Sequence, residues 1–254
     1  MNTLQIGTYR HDAPAGWDEL DPAQLCYIVP RMLKGMHKGA ARLLFTQQLL
    51  NVRWYKPRLW WWWWVKMAPD ERHHILQLAD WIFEDNPKQN DFIIKQHNGL
   101  HGPAAAFADT TAKEWGVADG WFQKWQQTKS TEALDMFVAI LYRPSPNCTR
   151  VPYNGNNFAH IEKVKRWPLS MKLGIIINYR HVRRILELEN RHVFGNSAGG
   201  GSGNGGNWYD VLLSMAGDKF GPLPDTENTN IRPFLRELDH RLEQQKRAEE
   251  KNPS

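Results

Sequence analysis

Apolar residues recur at helical spacing through most of the chain. Asp21-Pro22 is an N-cap followed by proline at the first helical position, and it predicts a helix opening DPAQLCYIVPRML that Pro30 ends or kinks early. A second helix is expected over Ala40–Leu50. A third starts at Ala68-Pro69-Asp70-Glu71, with Ile75, Leu78, Ile82 and Phe83 on its buried face. Thr111–Thr128 reads as a helix despite Gly116 and Gly120, each costing about 1 kcal/mol relative to alanine. The clearest pattern follows: Ser130 as cap, then Leu134, Phe137, Val138 and Leu141 as one stripe, then Pro144 and Pro146 as the stop. Pro168 opens a long helix to about Leu188, with Leu169, Leu173, Ile176 and Ile177 inward and Arg180, Arg183 and Arg184 outward. After a glycine tract come a short helix, Trp208–Met215, ended by Gly217, and a terminal helix over Asn230–Glu250. Ile231, Phe234, Leu235, Leu238 and Leu242 lie on one face of the latter. Beyond Leu242 the stripe stops and the tail is expected to fray. No segment alternates clearly enough to predict a strand, and no internal repeat is evident. The expected fold is mainly α, an irregular multi-helix domain with a glycine-rich linker and a C-terminal helical segment.

Seven of the twelve residues in GNSAGGGSGNGG (195–206) are glycine, so the tract reads as a tether. It suggests an N-terminal extension (1–17), a principal helical domain (18–190), a linker (191–207) and a C-terminal helical segment (208–254). A 254-residue chain can bury a sizeable core. The longest strongly apolar run, Leu59–Val65, has seven residues against the ~20 that span a bilayer, so no membrane partner is expected. The first residues lack a secretory pattern, and Cys26 and Cys148 stand far apart. Both point to a cytoplasmic protein, or one carried in a virion, without a disulfide framework.

Charge changes this picture more than composition does. Net charge is +5, and the surplus sits between His160 and His192, where Lys163, Lys165, Arg166, Lys172, Arg180, Arg183, Arg184 and Arg191 face only Glu162, Glu187 and Glu189. This segment fits contact with phosphates, with Trp167, Tyr179 or the tryptophan run Trp60–Trp64 stacking on bases, and it fits docking on an acidic protein surface equally well. The bland alternative is a solvated helix face with some charges near a helix C-terminus. No zinc finger, RNP signature or helix-turn-helix supports base readout.

Catalytic and metal signatures are weak. The glycine tract lacks the Gly-Lys-Ser/Thr of a phosphate loop, and there is no Gly-x-Ser-x-Gly elbow. His97 and His101 are four apart, but HNGLHGP is a poor helix and offers no third ligand. Asp80, Glu84 and Asp85 have a spacing common on any solvated helix. No enzyme activity, cofactor or metal is expected.

The strongest anomaly is Trp60, Trp61, Trp62, Trp63 and Trp64 in KPRLWWWWWVKM, among thirteen tryptophans in all. Five neighbouring indoles cannot all point into one core. Either they anchor a partner, with Lys56, Arg58 and Lys66 stacking on the rings, or they wedge between helices under a cover of those bases. Together with Lys163, Arg166, Arg180, Arg183 and Arg184 they form the candidate interaction residues.

Four stretches in order, GWDELDPAQLCYI (Gly16–Ile28), LADWIFED (Leu78–Asp85), ALDMFVAILYRP (Ala133–Pro144) and SMAGDKFGPLPDTENTNIRPFLRELD (Ser214–Asp239), carry a family resemblance. The chain resembles a group of helical proteins encoded among the tail genes of tailed phages and prophages. The carrying features are the Trp-x-Glu-Leu opening, the Leu-Tyr-Arg-Pro helix ending and the Gly-x-Lys-Phe-Gly turn before an Asn-containing helix start. The likeness spans roughly residues 16–245, and the five-tryptophan run departs from it. It implies a non-enzymatic, protein-binding role in tail assembly or virion structure, as a tail assembly chaperone or minor tail component. Its partners would be other tail or virion proteins, with nucleic acid as the alternative.

Overall fold

The structure, a computed structural model, describes residues 2–6, 9–50, 64–83, 91–146, 150–155, 158–194, 208–217 and 219–251. The chain is mainly α-helical and divides into two compact units, Met1–Gln89 with Pro168–Ile177, and Asn90–Trp167 with Asn178–Ser254. The segment after the glycine tract falls in the same unit as residues 90–167.

The first unit begins with a hairpin where no strand was expected: β1 (Asn2–Ile6) pairs antiparallel with β2 (Tyr9–Ala13), from Asn2 opposite Ala13 to Ile6 opposite Tyr9. Helix α1 (Pro22–Leu33) starts as its sequence predicts. Asp21 accepts from the Gln24 amide at 2.7 Å, and the Gln24 side chain accepts from the Asp21 amide at 3.0 Å. Pro30 does not end it. The helix continues for another turn, with Arg31 donating to the Tyr27 carbonyl at 2.8 Å and its guanidinium lying 3.6 Å over the Tyr27 ring. Helix α2 is Lys38–Leu49. Helix α3 (Pro69–Gln77) stops sooner than the apolar stripe suggested, and Ile82 and Phe83 sit in a separate 3-10 turn, Asp80–Phe83. Leu25, Ile28, Val29, Phe45, Leu49, Ile75 and Ile82 are buried, and Phe45 stacks on Phe83 at 5.8 Å.

The second unit opens with two-residue strands β3 (Gln96–His97) and β4 (Leu100–His101), joined through Asn98 and Gly99, both at positive φ. Asn-Gly is the dipeptide that a tight two-residue hairpin demands, so His97 and His101 stand on a hairpin instead of one helix face. Strand β4 also pairs with β5 (Arg143–Pro144). Helices α4 (Ala112–Thr128) and α5 (Thr131–Leu141) pack together, and Ser130 caps α5 by accepting from the Ala133 amide at 3.3 Å. Helix α6 (Ile161–Lys165) lies on α5. Helix α7 (Leu169–Glu189) gives its first part to the first unit and its later part to the second, and α8 (Arg191–Phe194) follows. On α7, Ile176 and Ile177 are buried as expected, whereas Leu169 is exposed: it lies in the first turn, where its side chain projects past the helix end.

Beyond the glycine tract come α9 (Trp208–Met215), α10 (Leu223–Asn228) and α11 (Ile231–Lys251). They are docked, not detached. The Ala112 amide donates to the Thr229 carbonyl at 2.8 Å and the Ile231 amide to the Thr110 carbonyl at 3.0 Å. Asn230 donates to the Ala108 carbonyl at 2.8 Å, and Ile231, Phe234 and Leu235 are fully buried. Gly116 makes room for Trp208: a Cβ there would lie 3.0 Å from the Trp208 Cβ, and the Trp208 ring meets Trp115 edge-on at 4.7 Å. The expected fraying after Leu242 is not observed. Helix α11 runs on to Lys251, where Arg247 pairs with Glu243 and Gln245 donates to Glu249, each one turn away.

Candidate functional site

The second unit buries an ion cluster between the start of α4 and the end of α5. Thr111 caps α4, its hydroxyl accepting from the Glu114 amide at 3.2 Å. Thr-Ala-Lys-Glu has the residue pattern of a reciprocal capping box, but the Glu114 carboxylate turns away from the cap into the interior, where the residue has no solvent exposure. Two guanidinium groups meet it. Arg143, in β5, donates to Oε2 at 2.7 Å, and Arg150 Nη1 stands 2.7 Å from Oε1.

Arg150 is well satisfied. Its Nε donates to Asp109 at 3.0 Å, Nη1 to the Leu141 carbonyl at 2.7 Å and Nη2 to the Thr110 hydroxyl at 3.1 Å. Arg143 is not. It is 5% exposed, and its buried Nε and Nη1 have no hydrogen-bond partner among the described residues. Burial pushes the Glu114 carboxyl up and the Arg143 guanidinium down from their ordinary values, against the attraction of each for the other.

Arg143 also lines a cavity of about 250 Å³, together with Pro144, Val151, Tyr153, Phe158 and His160. The Arg143 guanidinium carbon lies 5.9 Å from the Tyr153 ring centroid. His160 Nε2 is 2.7 Å from the Ala139 carbonyl, which only an Nε2–H tautomer can satisfy. The Val151 amide donates to the Pro144 carbonyl at 2.9 Å, and the Val151 side chain remains exposed. The lining is mostly apolar, with Arg143, Asn154 and His160 as its polar or charged members.

A second buried network lies further along α4. Asp119 Oδ1 accepts from the Tyr179 hydroxyl at 2.9 Å and Arg183 Nε at 2.7 Å, and Oδ2 accepts from Gln123 at 2.7 Å. Arg183 also pairs with Glu187. Burial alone would lower the Arg183 pKa, but Asp119, Tyr179 and Glu187 together hold it above its ordinary value. Both Asp119 oxygens and the Tyr179 hydroxyl have partners, so the network fixes α7 against α4.

The interaction residues expected from sequence are scattered. Trp60, Trp61, Trp62 and Trp63 lie outside the described residues; Trp64 is half-buried, with the Arg72 guanidinium 5.9 Å over its ring. Lys163 and Arg166 are exposed on and just after α6, and Arg180 is exposed on α7. Arg183 is not outward as expected, because Asp119 and Glu187 turn it into the network just described, and Arg184 pairs with Glu187 at 3.4 Å while remaining exposed. Among the described residues of this unit, Val151, Leu188, Tyr209 and Leu213 are exposed large apolar side chains, and the last two lie together on α9. Tyr209 and Leu213, 50% and 53% exposed and one turn apart, share a side of the helix distinct from that of the buried Leu212 and Met215.

Sequence reasoning passed over Glu114, Arg143 and Arg150. The available signal was an arginine set between the apolar helix 131–141 with its Tyr142 and the stop at Pro144. Among the described residues, no group of three or more His, Cys, Asp or Glu is placed to hold a metal ion, and no helix is long and apolar enough to cross a membrane. No protein-family model, curated protein or solved structure matches the chain.

Proposed function

We propose that this protein is a non-enzymatic, protein-binding factor of a phage or prophage tail module, acting in tail assembly or in the virion itself. The reading rests on the resemblance carried by Gly16–Ile28, Leu78–Asp85, Ala133–Pro144 and Ser214–Asp239. The structural observation that supports it is the Tyr209–Leu213 pair: two large apolar side chains, half exposed on one face of a helix whose other face is anchored on α4. A rigidly seated helix with aromatic and aliphatic anchors outward suits capture of an apolar stripe on a partner helix. The alternative, a nucleic-acid-binding protein, would use the exposed Lys163, Arg166, Arg180 and Arg184, whereas Arg183 is held by Asp119 and Glu187.

The test is co-expression with the tail proteins encoded beside it, followed by affinity capture at physiological salt. Wild type retains a tail protein, and Tyr209→Ser with Leu213→Ser weakens capture at least about tenfold without changing the helical circular dichroism. Absence of any captured tail protein, or equal capture by the double variant, refutes the reading. Binding to duplex or single-stranded nucleic acid that falls steeply with salt would favour the alternative.

A further inference from the structure

The Tyr209–Leu213 surface leaves the cationic stretch of α7 without a task. There the structure sorts the charges. Arg183 is drawn inward by Asp119 and Glu187, whereas Arg180 and Arg184 stay at the surface. Arg184 reaches Glu187 at 3.4 Å with its side chain 56% exposed, so much of its guanidinium faces water. One turn beyond it, Leu188 is 47% exposed. Positions 180, 184 and 188 are successive turns of one helix face. They form a strip about 12 Å long that carries two guanidinium groups and then an aliphatic seat.

We infer that this strip docks an acidic amphipathic helix of a partner protein, with carboxylates one turn apart on Arg180 and Arg184 and an apolar side chain on Leu188. The inference rests on the protein-binding role proposed above and gives the partner its chemistry. A guanidinium fork matches a carboxylate, and a helix repeats its side chains at the same one-turn interval as the strip. Leu188 adds contact that salt does not screen. A nucleic acid is the poorer match. The rings that could stack on bases, Trp167 and Tyr179, are buried, and the Tyr179 hydroxyl bonds Asp119. Glu187 and Glu189 stand beside the strip and oppose a continuous polyanion, and a phosphodiester chain gives Leu188 no apolar partner.

The experiment uses the full chain and three probes. They are an alanine-based helical peptide with two glutamates four residues apart and a leucine four further on, the same peptide with glutamines for the glutamates, and a duplex oligonucleotide. Titrations at physiological salt follow the α7 amide resonances by NMR. The acidic peptide binds saturably, at least about tenfold more tightly than its glutamine counterpart. Arg180→Gln with Arg184→Gln weakens it at least about fivefold and Leu188→Ser at least about threefold, each with the unliganded melting temperature near that of wild type. No perturbation of residues 180–188 up to about 5 mM acidic peptide, equal binding of the two peptides, wild-type affinity in a folded variant, or tighter binding of the duplex overturns the assignment. Failure here beside successful capture of a tail protein strikes the strip alone. Peptide binding without any captured tail protein strikes the tail role and keeps the acidic-helix chemistry.

Discussion

Replacing Glu114 by glutamine tests whether the buried cluster stabilises the second unit as its geometry implies. The substitution is nearly isosteric and removes one negative charge from a position with no solvent exposure. Arg150 keeps Asp109, the Leu141 carbonyl and the Thr110 hydroxyl, so its loss is partial. Arg143 loses the only anion it contacts among the described residues and becomes an uncompensated buried charge. Removing one member of a buried pair costs about 3–5 kcal/mol, which is a large share of the 5–15 kcal/mol that holds a typical domain together. For a chain of this size that corresponds to a fall of about 6–20 °C in melting temperature. Arg143→Met is the informative control. It removes the poorly matched cation with its desolvation cost, and Glu114 keeps Arg150, so the expected loss is about 1–2 kcal/mol. Calorimetry and guanidinium unfolding followed by near-ultraviolet circular dichroism read both, since Trp115 lies next to Glu114 and packs edge-on against Trp208. A Glu114→Gln loss below about 1 kcal/mol, or equal losses for the two variants, refutes the reasoning.

Gly120 has nothing within 4 Å of a built Cβ, so Gly120→Ala gains about 1 kcal/mol of helix propensity in chemical denaturation. Gly116→Ala gains nothing or loses stability, because its Cβ crowds Trp208; equal gains at both positions would count against the packing described. Burial, and to a lesser extent Arg180, lowers His181 from 6.5 to about 4, so the unfolded chain takes up this proton first as pH falls. His181 therefore contributes stability that is complete above about pH 6.5 and lost towards pH 4, by no more than about 3 kcal/mol. His181→Gln flattens the stability–pH profile in that window, measured as the difference from wild type. Asp21→Ala removes both halves of the capping box on α1 and costs about 1 kcal/mol, read as a lower denaturation midpoint.

The helices were legible because their signals are local. Asp21 with Pro22, Thr111 and Ser130 cap where the sequence places them, and the Leu134, Phe137, Val138 and Leu141 stripe is buried throughout. The hairpin at Asn98-Gly99 carried an equally local signal, obscured by attention to the histidine spacing on either side. Pro30 and the 3-10 turn at Asp80–Phe83 show where periodicity misleads. Helix α1 runs past Pro30 to Leu33, and an apolar stripe persists across a change of helix type. The Glu114–Arg143–Arg150 cluster was illegible because its members lie 29 and 7 residues apart and each has a plausible local explanation: a first-turn acid, a charge after a helix and a loop arginine. Only tertiary contact makes them one object. The same holds for Arg183, which a helical wheel places outward and Asp119 pulls in.

The antiparallel bridge between Thr111 and Asn230 ties the segment that follows the glycine tract to the start of α4. That tract lies outside the described residues, but α8 before it and α9 after it belong to the same unit, so the number of residues between them is a nearly free variable. Doubling such a connection costs only about 0.6 kcal/mol, so insertions or an encoded tag there leave the assembled unit standing. A cut in the same place yields two polypeptides whose β-bridge, buried Phe234 and Leu235 and tryptophan pair still hold them in register. The chain is in that sense a ready-made split protein, with a seam that evolution or an experimenter can lengthen, label or sever.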